Sequence, residues 1–183
     1  MHVMIDMETA GTDPDAAIAS VALVRFDPVT CCIGPSLTLR IDLCSSQKYG
    51  GVIDASTMQW WVAQSDAARK VFDPDGTVSF PVAMQVIQTF LDGKPVEGVW
   101  SNGAGFDCVI LRRALERAGH KAWPFPLDRD VRTMVMLGRQ LGFDPKADMP
   151  FEGTLHNALD DAIHQVKYVS AIWQRLFSQE AEK

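Results

Sequence analysis

Asp6 and Glu8 close a short apolar run, Val3-Met4-Ile5. Side chains two apart on a strand share a face, so the two carboxylates project together while Met7 points away. Acids held that close repel one another unless a cation lies between them. Hard oxygen ligands on a rigid element suit magnesium or manganese. The same pair reads equally well as two hydrated acids where a strand runs out into solvent.

Two later segments carry further acids. In Trp100-Ser101-Asn102-Gly103-Ala104-Gly105-Phe106-Asp107 a strand candidate ends, a turn of small residues follows, and Asp107 opens a helix. Helix N-termini favour negative charge, so Asp107 alone reads as an ordinary first-turn acid. Asn102 is placed to hold the turn or to contact a ligand. In Thr154-Leu155-His156-Asn157-Ala158-Leu159-Asp160-Asp161, His156 falls on the lead-in to the last helix and Asp161 on the helix itself. A histidine of ordinary pKa about 6.5 beside a fixed acid suits proton removal from water. By itself this segment also reads as a plain helix start.

The elements that must position these residues follow from periodicity and punctuation. Residues 2–6, 18–26 and 37–41 read as strands, joined by connections short enough for an antiparallel meander. Helical spacing covers 56–72 in two stretches, then 82–91, 106–118, 131–141 and 157–177, with a short strand at 98–101. Strands, then helices, then a strand, then helices predict an α/β fold with a mixed central sheet flanked by helices. A single domain over 1–177 is expected, followed by a polar tail at 178–183.

Bulk properties exclude several classes. With 47% hydrophobic and 22% charged residues in 183, the chain is globular rather than disordered. No apolar run approaches the roughly 20 residues needed to cross a membrane. No secretory leader is legible, which makes a cytoplasmic location the expectation. The four cysteines (Cys31, Cys32, Cys44, Cys108) form no C-x-x-C pair and are expected as free thiols. The net charge of −6 argues against tight, indiscriminate binding of long duplex. Cations held by Asp6, Glu8, Asp107 and Asp161 would offset much of that excess.

Taken in order, Asp-x-Glu on the first strand, Asp107 at a strand-to-helix junction and His-x-Ala-x-x-Asp at 156–161 resemble the DEDDh 3′–5′ exonucleases. These are the DnaQ-like group of the ribonuclease H-like superfamily. Softer motifs, Met58-Gln59-Trp60-Trp61 and Arg129-Asp130-Val131-Arg132-Thr133, are similar to its phage and bacterial exonuclease VIII-like branch. The resemblance implies a ribonuclease H-like fold. It implies that Asp6, Glu8, Asp107 and Asp161 hold two Mg²⁺ or Mn²⁺ ions and that His156 is the general base. It further implies that Met7, Thr9 and Phe106 cradle the terminal nucleotide, and that nucleoside 5′-monophosphates leave a single-stranded 3′ end of DNA or RNA. A hydrolase of short oligonucleotides and a non-catalytic nucleic-acid-binding protein of the same fold are the competing readings.

Trp60 and Trp61 are adjacent and cannot both face the core. Trp61 is kept as a stacking platform for a base, and Trp60 is read as packing. Exposed apolar residues on the helices permit a homodimer. Asp160 is expected beside the site or exposed, and His164 at the surface or in packing.

Overall fold

The computed structural model describes residues 1–178. The apolar run at the N-terminus extends further than its pattern suggests, forming β1 (His2–Thr9). It pairs antiparallel with β2 (Ile18–Asp27), and β2 pairs antiparallel with β3 (Cys32–Arg40). On its other edge β1 pairs parallel with β4 (Gly98–Ser101), which pairs parallel with β5 (Asp128–Asp130). The sheet order β3-β2-β1-β4-β5 puts β1 at the centre. A strand buried on both faces reads as a continuous apolar run, which is why residues 3–5 show no alternation.

The helices follow in chain order. After β3 come α1 (Leu43–Lys48), α2 (Ala55–Val62), α3 (Asp66–Arg69), a 3₁₀ turn at Lys70–Phe72 and α4 (Phe80–Asp92). After β4 comes α5 (Asp107–Arg117), and after β5 come α6 (Val131–Gln140), α7 (Pro145–Asp148) and α8 (Ala158–Ser178). Several starts are capped by side-chain carboxylates: Asp54 accepts from Thr57 N–H at 2.9 Å and Asp130 from Thr133 N–H at 3.0 Å. The sequence reading put the cap of α2 at Ser56 or Thr57. Asp54 takes that place because its carboxylate reaches both the Thr57 amide and the Thr57 hydroxyl.

Two apolar layers sandwich the sheet. Val3, Ile5 and Met7 face α4 and α5, with Phe80, Met84, Ile87, Ile110 and Leu111 among their neighbours. Met4 faces the other way, with Val24, Phe26 and Trp100, against α6 and α8. Asp6 and Glu8 continue the Met4 face, so strand alternation alone aims them at α8. Arg25, buried on β2, ties the sheet to the end of α4. Its guanidinium donates to the carbonyls of Phe90, Leu91 and Lys94 at 2.6, 3.1 and 3.2 Å, at the end of α4 where a cation is favoured.

The mixed sheet, the meander and the α/β layering meet the expectation. The elements α1, α7 and β5 were not anticipated. The first two are six- and four-residue helices, too short for a periodicity. The third is three half-buried charged residues, Asp128-Arg129-Asp130, placed by pairing with β4 rather than by propensity. Among the described residues no helix is long and apolar enough to cross a membrane. The tail expectation beyond residue 178 lies outside the described residues.

Candidate active site

The site forms at the carboxyl ends of β1 and β4, where ligands of open α/β sheets gather. The register of β1 against β2 shifts between Glu8 and Thr9: Glu8 faces Ser20, but Thr9 faces Ile18. Ala19 is therefore the extra residue on β2. Such bulges redirect side chains next to sites.

Asp6, Glu8 and Asp161 converge. Each offers one carboxylate oxygen, and the three lie within 4.8 Å of one another. Asp107 borders this triad. Its carboxylate is buried at the start of α5, where the Met7 backbone N–H, Arg132 and Ser101 act to lower its pKa against burial. Burial pushes the Asp107 carboxyl up to about 7. Burial, then the charges of Asp161 and Asp107, push Glu8 up to about 8. Asp6 is raised well above the usual carboxylate range by burial and by Asp107, Glu8 and Asp161. Asp161 is raised by burial, against the opposing influence of His156. Four acids thus share one desolvated space, and among the described residues none of them forms an ion pair with a cationic side chain. That donor set of hard oxygens fits a divalent cation, whose charge would offset the mutual repulsion.

One neutral side chain enters the cluster. Gln165, one turn beyond Asp161 on α8, donates its amide N–H to Asp6 Oδ1 at 2.7 Å. Gln165 is buried, and its Oε1 has no partner among the described residues. The sequence carried a signal for it, since four residues after Asp161 is the same helix face.

His156 stands on the lead-in to α8 with a left-handed backbone, φ 63°. Such a conformation is uncommon for a residue with a Cβ and is maintained by its surroundings. Asp160 supplies part of them: its carboxylate accepts the Thr154 N–H at 2.8 Å. It sits so close beneath Gly153 that a Cβ there would meet it at 2.6 Å, and Gly153 has φ 126°. Asp160 therefore braces the loop that carries His156. The other support is aromatic. The His156 ring lies edge-on to Trp60 at 5.3 Å and to Trp61 at 6.0 Å between centroids.

The two tryptophans exchange the roles read from sequence. Trp61 is 2% exposed; its indole N–H donates to the Thr9 carbonyl at 2.9 Å and its ring packs against Phe72. Trp60 is 47% exposed and carries the open aromatic surface. Adjacent helical residues diverge by about 100°, so the two indoles could not both face the core, but the spacing did not say which one turned inward. The buried position went to the residue that could pair its N–H with the end of β1.

A cleft of about 380 Å³ opens beside Glu8. Met7, Thr9 and Phe106 line it together with Trp60, Trp61 and Gly11. The Thr9 hydroxyl is already committed to the Gly11 carbonyl at 2.7 Å, so Thr9 presents its methyl side. Asn102 lies in the turn after β4 and does not line this cleft. That turn is held by Asp130, which accepts the Ala104 N–H at 2.7 Å, and by Arg132, packed over Gly103 at φ 117°. Asp130 and Arg132 thus support the loop leading to Asp107. Arg129 donates to the Pro126 and Asp128 carbonyls. His164 packs between Phe151 and Tyr168. All four cysteines are free, and only Cys108 is buried.

Comparison with known proteins decides the family. Residues 1–173 match the 3′–5′ exoribonuclease Rv2179c-like domain. The chain belongs to this family. It is 29% identical over 120 residues to an exodeoxyribonuclease of Enterobacteria phage T4, covering 59% of this chain and 52% of that protein. Among solved structures, a zinc-bound E. coli exonuclease I–single-stranded DNA complex superposes with a TM-score of 0.69 at 16% identity, over 97% of this chain and 42% of that one. The nuclease domain of 3′hExo, a DEDDh family member bound to rAMP, superposes with a TM-score of 0.56 at 15% identity, over 94% of this chain and 90% of that one. The structures share the fold of this family member, as the DEDDh motifs implied. The domain spans about half the length of the phage relative and less than half of exonuclease I.

Proposed function

We propose that this domain is a divalent-metal-dependent 3′–5′ exonuclease acting on single-stranded nucleic-acid ends. The observation that carries the reading is the convergence of Asp6, Glu8 and Asp161 within 4.8 Å, bordered by Asp107 and by the aromatic-braced His156. Asp6, Glu8, Asp107 and Asp161 would hold two Mg²⁺ or Mn²⁺ ions. When bound, these supply positive charge to the attacking and leaving oxygens of an in-line displacement.

The chain's own residues supply the rest. The cleft between Phe106 and Trp60 receives the terminal nucleoside, with Met7 and Thr9 as its floor. This places the terminal phosphodiester over Glu8. His156 takes a proton from the attacking water as the new O–P bond forms. The P–O3′ bond breaks, the upstream 3′-oxygen takes up a proton, and a nucleoside 5′-monophosphate leaves. Family and relatives carry both ribonuclease and deoxyribonuclease descriptions, and both sugars fall within the proposal.

The test is degradation of matched 5′-labelled DNA and RNA strands with Mg²⁺ or Mn²⁺. Stepwise shortening from the 3′ end is expected, and 3′-phosphate-blocked strands should resist. Intact strands under both metals would refute the proposal, and shortening restricted to di- and trinucleotides would favour a short-oligonucleotide hydrolase.

A further inference from the structure

A second cleft, of about 450 Å³, is lined by His156, whose ring packs against Trp60 and Trp61 of the nucleoside cleft. That size is within the range of small-ligand sites. Its wall includes Ser20 and Thr38 of the sheet, Arg40 at the end of β3, Lys70 on the 3₁₀ turn, and Thr154 and Asn157 around His156. None of its lining residues is acidic and none but His156 is aromatic. In a chain of net charge −6 this is an unusual local balance, two cations beside a cluster of four acids.

The two cations differ in availability. Arg40 donates from its Nη atoms to the backbone carbonyls of Asp73 and Asp75 and forms no ion pair among the described residues, and its buried Nε has no partner there. Lys70 is exposed and forms no ion pair among the described residues. The neighbouring Arg69, by contrast, is taken up by Asp66 and by the carbonyls of Val62 and Gln64.

We infer that this cleft binds the phosphodiester backbone immediately upstream of the scissile bond, with Lys70 and Arg40 as the cationic contacts. The inference rests on the exonuclease reading, which sets the terminal nucleoside in the first cleft and the scissile phosphate at Glu8 and His156. A strand leaving that point past His156 enters the second cleft. Hydroxyl, amide and cationic groups suit phosphate and sugar, whereas the first cleft has the aromatic walls that suit a base. Upstream recognition is therefore by backbone and indifferent to base identity.

The experiment compares Lys70→Met with wild type on two substrates. One is an oligothymidylate strand. The other is the p-nitrophenyl ester of thymidine 5′-monophosphate, which carries no upstream phosphate. The KM ratio of strand to ester should rise by about twofold to fivefold at low salt, the scale of one exposed charge pair. The salt dependence of strand binding should fall by a slope of about 0.7, one phosphate contact of a single strand. Lys70→Arg should restore both. An unchanged ratio, or an equal rise for both substrates, would overturn the inference. Wild-type failure to hydrolyse either substrate would sink the exonuclease reading instead. In that event fluorescence anisotropy of the labelled strand decides: weaker binding by Lys70→Met supports the subsite and equal binding refutes it.

Discussion

His156 and Trp60 meet edge to face, their ring centroids 5.3 Å apart and their planes at 88°. The contact joins an exposed indole on α2 to a histidine whose own backbone is in the left-handed region. Edge-to-face aromatic pairs are worth about 0.5–1.5 kcal/mol beyond the area they bury. Removing the indole should let the imidazole leave its position for part of the time. Trp60→Ala is expected to lower kcat by about two- to tenfold on that scale, and Trp60→Phe to retain most of it. Measuring kcat at saturating substrate separates this from the loss of a cleft wall, which raises KM. An unchanged kcat in Trp60→Ala would leave Trp60 with no part in holding His156.

In the proposed mechanism His156 takes the proton from the attacking water. His156→Ala should reduce kcat by about 10²–10⁴-fold, the usual worth of a positioned general base. Mn²⁺ affinity by calorimetry should stay near wild type, because the carboxylate triad does not include the imidazole. Turnover within a few fold of wild type would remove His156 from the mechanism.

How much of this was legible in the sequence follows from range. Asp6 and Glu8 were readable because strand alternation is local and strict, and Asp107 because a strand, a small-residue turn and an acid lie in one segment. The meander was readable from short connections. The choice between Trp60 and Trp61 was not, because it depends on the Thr9 carbonyl 52 residues away. Nor was the bracing of the loops: Asp130 reaches back 26 residues to Ala104. Gln165 shares the helix face of Asp161, but a glutamine carries no charge pattern, and its bond to Asp6, 159 residues away, is not legible from that spacing.

Gln165 gives the next prediction. Its amide bond to Asp6 Oδ1 orients a carboxylate assigned to metal binding, and partners of that kind are worth about 10–100-fold in metal affinity. Gln165→Leu keeps similar bulk and removes the donor. Mn²⁺ should bind more weakly by about that factor, with kcat largely recovered at saturating metal. Gln165→Glu sets a further carboxylate against Asp6 and should bind no better than the leucine variant without added metal excess. Wild-type affinity in Gln165→Leu would show that Asp6 holds its position unaided.

Metal-free stability should fall as pH rises. Glu8 titrates near 8 and Asp107 near 7 in the folded chain, and Asp6 and Asp161 are also raised, burial being the main cause in each. Unfolded carboxyls titrate near 4, so the folded state holds these protons more tightly. Their contribution is complete below about pH 4 and is lost as pH climbs through about 7 to 8. Asp15 has the opposite sign. Its hydrogen bonds to Arg113 and Arg117 hold it down at about 2, so its contribution is present at neutral pH and fades only below about pH 4. In EDTA, the melting temperature should therefore drop between about pH 5.5 and 8.5. Saturating Mg²⁺ or Mn²⁺ binds the ionised carboxylates of the folded state alone, contributing roughly 2.7 kcal/mol at a hundredfold excess over Kd. The metal-induced rise in melting temperature should consequently be larger at the upper pH than at the lower. Scanning fluorimetry at both pH values checks this. A melting temperature in EDTA that holds steady or rises with pH, or a metal increment equal at both, would mean that the four acids are not forced together without a cation.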